Sequence, residues 1–215
     1  INAIDIAREN ISSSLGCKFN ELVFTSGATE ANNLIMRGAF IFAYRWLRNN
    51  KIKAKPRIII SSIEHESIRE TAADLENEGA EIIILDVNID GQISFDALKK
   101  ALNQNTVLVS IMYANNEIGS IMPIREIGEI INNFRLTNSK NNIIFPDFFP
   151  LFHTDATQAF QFYKINTREL FLNSATISSH KMYGPKGVGA LYIKNVVRNS
   201  YPISAIITGG GQEFG

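Results

Sequence analysis

A lysine follows two hydroxyls and a histidine in Ser178-Ser179-His180-Lys181, and an aspartate, Asp155, closes an apolar run 26 positions earlier. Gln158 stands three residues after that acid. An amine that ends a strand can form a Schiff base, and a carboxylate in the same crevice can hold a protonated ring nitrogen. Three further segments could face that crevice. Thr25-Ser26-Gly27-Ala28-Thr29-Glu30 is a small-residue turn running into a helix, where free backbone N–H groups and the positive end of the helix dipole suit a phosphate. The plainer reading is an N-cap by Ser26 or Thr29 with no ligand. His65 follows another apolar run and reads equally as a surface or capping residue. Asn115 and Asn116 follow a third run, where two side-chain amides either fix a polar ligand or form an Asx turn before Gly119. Alone, Lys181 reads as a solvated surface residue. Taken together, an amine for a Schiff base, a carboxylate for a pyridinium and donors for a phosphate are what pyridoxal 5'-phosphate requires.

The elements that must position these residues are legible as alternation. β-rich apolar runs occur at Leu22 to Phe24, Arg57 to Ser61, Glu81 to Leu85, Thr106 to Met112, Phe152 to Asp155, Ala175 to Ser178 and Gly189 to Ile193. Helical patterns lie between them, at Thr29 to Arg48, Ser67 to Glu78, Ser94 to Leu102 and Ile124 to Asn133. Strand then helix, repeated, predicts an α/β fold with a mostly parallel seven-stranded sheet flanked by helices. RIIIS, apolar at every central position, suits a strand covered on both faces. In such sheets ligands sit beyond the carboxyl ends of the strands, where the residues above fall. Asn133 to Phe149 mixes an Asn-rich tract with Phe and Pro and reads as an inserted surface loop.

Composition bounds the rest. The 215 residues are 45% hydrophobic and carry 21 basic against 21 acidic residues. That is one ordinary domain, or most of one, able to bury a core without disulfide or metal. Balanced charge without a Lys/Arg run argues against a nucleic-acid partner. No stretch approaches a membrane span, and the N-terminus lacks the order of a signal peptide. The single Cys17 excludes an internal disulfide. Helical spacing from the first residues and a stop just after a glycine run read as a chain cut at both ends.

FTSGATEANN, IEHESI, YANNEIG, HTDATQ, SSHKMYGPKGVGALY and GGGQE, in this order, resemble the NifS/IscS-type cysteine desulfurases of the aminotransferase class V group. The resemblance spans nearly the whole chain apart from Asn133 to Phe149. It implies the large pyridoxal phosphate-binding domain of a fold-type I enzyme over residues 1–215, with a smaller C-terminal domain beyond. It implies that Lys181 bonds the cofactor, Asp155 partners the pyridine nitrogen and Gln158 donates to the phenolic oxygen. It assigns Ala28, Thr29, Ser178 and His180 to the phosphate, His65 to stacking and proton movement, and Asn116 to cofactor and substrate. The activity implied is conversion of L-cysteine to L-alanine, with sulfur passed as a persulfide for iron–sulfur cluster assembly. A homodimer and a sulfur-accepting scaffold protein are implied with it.

The resemblance implies that the nucleophilic cysteine belongs to a loop C-terminal to residue 215. Cys17 precedes the first strand and reads as a small half-buried residue. Ser179 stands where the family usually has glycine, and Phe214 where it usually has arginine. The alternatives are a selenocysteine lyase or another class V lyase, and a non-catalytic protein that keeps the fold for dimerisation or partner binding. An Asn- and Ile-rich composition suggests a eukaryotic source, with a mitochondrion or mitochondrion-derived organelle as the compartment and the cytoplasm as the alternative.

Overall fold

The computed structural model describes residues 2–138, 144–195 and 202–214. Helix α1 (Asn2–Leu15) leads through a 3-10 turn to strand β1 (Leu22–Thr25) and the long helix α2 (Ala28–Asn49). Then follow β2 (Arg57–Ser61), α3 (Glu66–Asn77), β3 (Glu81–Leu85), α4 (Phe95–Ala101), β4 (Thr106–Ser110) and α5 (Ile124–Asn138). Strands β5 (Leu151–Asp155), β6 (Ser174–Ser178) and β7 (Gly189–Ile193) complete the sheet.

The strands form one seven-stranded sheet in the order β1-β7-β6-β5-β4-β2-β3. β7 runs antiparallel to both of its neighbours, and the remaining pairs are parallel. The expected α/β class and mostly parallel sheet are the observed ones. The link from β6 to β7 holds Lys181 and is too short for a crossover helix, so the chain must return antiparallel. Both ends of that link are thereby fixed at one end of the sheet.

Two apolar layers cover the sheet. Ile58 and Ile60 face α2 and α3, while Ile59 faces the layer built with Leu98 of α4 and Ile127 and Ile131 of α5. All three isoleucines are buried, as alternation on a doubly covered strand requires. Each such side chain contributes roughly 1.5–3 kcal/mol through removal from water. No helix among the described residues is long and apolar enough to cross a membrane.

The surface loop expected over Asn133 to Phe149 is corrected at both ends. Helix α5 continues to Asn138, with Thr137 Oγ1 donating to Asn133 O at 2.9 Å and Asn138 Nδ2 donating to Phe134 O at 2.9 Å. Further on, Phe145 and Phe149 are buried against the α2 layer, Phe42 packs on Phe148 and Phe149, and Trp46 Nε1 donates to Ile144 O. Burial of these rings outweighs the polar tract before them. Residues 139–143 lie outside the described residues.

Candidate active site

The carboxyl ends of β1, β2, β4, β5 and β6 open on a cavity of about 480 Å³. Ala28, Thr29, His65, Asn116, Asp155, Gln158, His180 and Lys181 all line it, so residues far apart in sequence meet as expected. Ser178 does not line it. Its side chain is buried in β6, and its Oγ lies 3.0 Å from His180 Nδ1, so Ser178 reaches the cavity only through that imidazole.

The turn into α2 has no side-chain cap. Gly27 occupies the N-cap position, and the Ser26 hydroxyl is turned to Glu30 Oε2 at 2.5 Å. The capping role considered for Ser26 and Thr29 is therefore unfilled, which leaves the first amides of α2 free toward the cavity. The turn is wedged against β7, since a Cβ on Gly189 would lie 2.7 Å from Gly27 Cα. Any larger residue at 189 would displace the turn.

Histidine 65 caps α3. Its Nδ1 accepts from Ser67 N at 3.1 Å and lies 2.9 Å from Ser67 Oγ. An Nδ1 that accepts a backbone N–H leaves the proton of the neutral ring on Nε2. The capping and cavity-facing readings are thus both satisfied. The asparagine pair divides: Asn115 Oδ1 accepts from Glu117 N and Ile118 N in an Asx turn, and Asn116 lines the cavity.

Asp155 is fixed from two sides. Its Oδ1 accepts from Thr157 N at 2.9 Å and its Oδ2 from Asn32 Nδ2 at 2.7 Å. Asn32 is fully buried, donates also to Ser67 Oγ at 2.8 Å, and its Oδ1 faces His153 Nε2 at 3.3 Å. One amide thereby links the aspartate to the serine that holds His65. His153, 2.9 Å from Ser174 Oγ through Nδ1, is pushed well below the usual imidazole range by burial, so it stands neutral. Beside this group lies Glu64, whose Oε1 accepts from Ser61 Oγ at 2.6 Å and Met112 N at 2.8 Å, while Oε2 has no partner. Burial, with a smaller contribution from Asp155, pushes its carboxyl up to about 8.

Sequence reasoning missed Asn32, Ser67, Glu64 and Lys186, the last a second amine on the cavity wall. Cys17 lies away from this wall, half-buried in the α1-to-β1 connection. Burial, then Glu21, pushes its thiol up to about 12, so at neutral pH it is not a thiolate. Ser179 fits the 3-10 turn Ser179–Lys181 without a left-handed backbone. Phe214 packs edge-on against Phe19 and lies beside the buried Arg8 guanidinium, which pairs with Glu213 at 2.7 Å.

A scaffold that sets an amine, an imidazole and a doubly held carboxylate around one helix N-terminus defines a class before it defines an enzyme. The chain belongs to the aminotransferase class-V family, whose model matches residues 1–213, and enzymes of this family use pyridoxal phosphate. Within it, the chain is 43% identical over 213 residues to the cysteine desulfurase IscS of Clostridium botulinum strain Kyoto, covering 99% of this chain and 47% of that protein. It is 42% identical over 212 residues to a mitochondrial cysteine desulfurase of Candida maltosa, covering 99% of this chain and 39% of that one. Among solved structures, SspA in complex with cysteine superposes with a TM-score of 0.81 at 38% identity, over 99% of this chain and 54% of that one. The chain thus spans about half the length of these relatives or less.

Proposed function

We propose that this chain is the cofactor-binding part of a cysteine desulfurase that converts L-cysteine to L-alanine and passes the sulfur on as a persulfide for iron–sulfur cluster assembly. The observation that carries the reading is that Lys181, Asp155, His65 and Gln158 line one cavity with the uncapped N-terminus of α2. The cavity fits pyridoxal phosphate: an amine, a buried carboxylate and a set of unengaged backbone donors are the three things the cofactor's aldehyde, ring nitrogen and phosphate need. When bound, the cofactor supplies an electron sink that makes the substrate's Cα–H acidic.

The chain's own residues do the rest. Lys181 would hold the cofactor through its amine and would move the proton at the substrate's Cα. Asp155 would pair with the ring nitrogen, its carboxylate oriented by Asn32 and Thr157. Thr29, the amides from Ala28 onward and His180 hold the phosphate, with Ser178 orienting His180. Gln158 would donate to the phenolic oxygen. His65, with its Nδ1 engaged by Ser67, presents Nε2–H as the group that can pass a proton. Asn116 orients the substrate. The thiolate that accepts sulfur is not Cys17, which lies in the α1-to-β1 connection and does not line the cavity.

The protein works as a homodimer with a sulfur-accepting scaffold protein as partner, and in a mitochondrion, the compartment named for the Candida maltosa relative. Alanine formation from L-cysteine by the cofactor-loaded full-length protein tests the reading. It should proceed in the parent protein and be lost in Lys181→Ala. Cleavage of cysteine to products other than alanine, by a protein that holds the cofactor, would overturn the assignment.

A further inference from the structure

At the opposite end of the sheet lies a second cavity, of about 420 Å³, which the proposed reaction does not use. It forms where the turn before β1, the C-terminal part of α5, the segment before β6 and the end of β7 come together. Four cations line it, Lys18, Arg135, Arg168 and Lys194, against one carboxylate, Glu21. The ion pairs among the described residues involve none of these four cations. Glu21 is already engaged, accepting from Lys18 N at 2.9 Å and Asn195 N at 3.1 Å.

Arg135 is the telling residue. Its Nε and Nη2 are closed off from solvent and have no hydrogen-bond partner, and neither do the side-chain amide atoms of Asn195 on the same wall. Burial alone lowers the Arg135 guanidinium to about 10, with no carboxylate among the causes to offset it. It therefore stays charged at neutral pH. A partly buried cation without acceptor or counter-charge is costly, and an anion accepting from the open side of the guanidinium would offset that cost.

We propose that this cavity binds a small phosphoryl-bearing anion, with Arg135 supplying the partly buried charge and Lys18, Arg168 and Lys194 the rim. Charge excess selects an oxyanion over a neutral ligand. The cavity's size lies within the range of small-molecule sites. The guanidinium favours a planar or tetrahedral oxyanion that accepts several hydrogen bonds. This site is independent of the cofactor cavity, which lies at the other end of the strands.

Calorimetric titration of inorganic pyrophosphate into the protein already loaded with pyridoxal phosphate tests it, since the loaded cofactor blocks the other phosphate site. One saturable site is expected. Arg168→Gln and Lys194→Gln, both at exposed positions, should together weaken it by about tenfold. Arg135→Lys, which keeps the charge but loses the fork, should weaken it by a similar factor while leaving the cofactor's absorbance unchanged. Absence of saturable binding at millimolar pyrophosphate would overturn the proposal, as would equal binding by the parent and the Arg168→Gln/Lys194→Gln variant.

Discussion

Glu64→Gln should change how stability depends on pH. The Glu64 carboxyl is buried, with one oxygen bonded to Ser61 and Met112 and the other unpartnered, and its folded-state pKa is raised to about 8 from 4.5. Between those values the folded protein holds a proton that the unfolded chain has released. Stability contributed by this group is therefore full below about pH 4.5, falls as pH rises through the window, and is lost by about pH 8. One pKa unit corresponds to about 1.4 kcal/mol, so the group should cost on the order of 3 kcal/mol between pH 5 and pH 8. A glutamine keeps an acceptor for Ser61 and Met112 but has nothing to titrate. Any pH-independent penalty of the amide cancels when the two proteins are compared across pH. Urea unfolding of parent and variant at pH 5 and pH 8 should show the variant gaining on the parent by roughly 3 kcal/mol over that interval. Parallel profiles would refute the buried, protonated carboxyl.

Other outcomes follow from the same geometry. Asp155→Asn should leave cofactor bound yet slow turnover by roughly 2 kcal/mol or more of transition-state stabilisation, measured as kcat for alanine formation. Asn32→Ala, which removes donors to Asp155 and Ser67, should lower unfolding stability by roughly 2–3 kcal/mol in urea titrations and shift the absorbance of the bound cofactor. In the full-length protein, Cys17→Ser should leave persulfide formation unchanged; its loss with an intact cofactor spectrum would show the nucleophile to be misplaced.

Lys181, Asp155 and His65 were legible because each follows an apolar run, and in a parallel sheet the ends of such runs converge. The Asn115–Asn116 pair was legible only as a choice, since an Asx turn and a ligand contact use the same residue type; in the fold Asn115 makes the turn and Asn116 lines the cavity. Asn32 did leave a signal. It shares a face of α2 with Ile35, Met36 and Ala39, all buried, and a polar residue on an apolar stripe implies an engaged amide. Glu64 left none, because a glutamate in a turn reads as solvated until β4 covers it. Asn133 to Phe149 misled because its polar tract precedes aromatic residues whose partner, Phe42, lies about a hundred positions upstream. The cation cavity escaped for the same reason: Lys18, Arg135, Arg168 and Lys194 belong to four separate segments, and no local pattern joins them.

The central claim is that Lys181 is the residue bonded to pyridoxal phosphate. Borohydride reduction of the cofactor-loaded protein, digestion and mass spectrometry should find the cofactor's mass on the peptide holding Lys181, and on no peptide of Lys181→Ala. The reduced cofactor on Lys186 or another lysine of the parent protein would contradict the account.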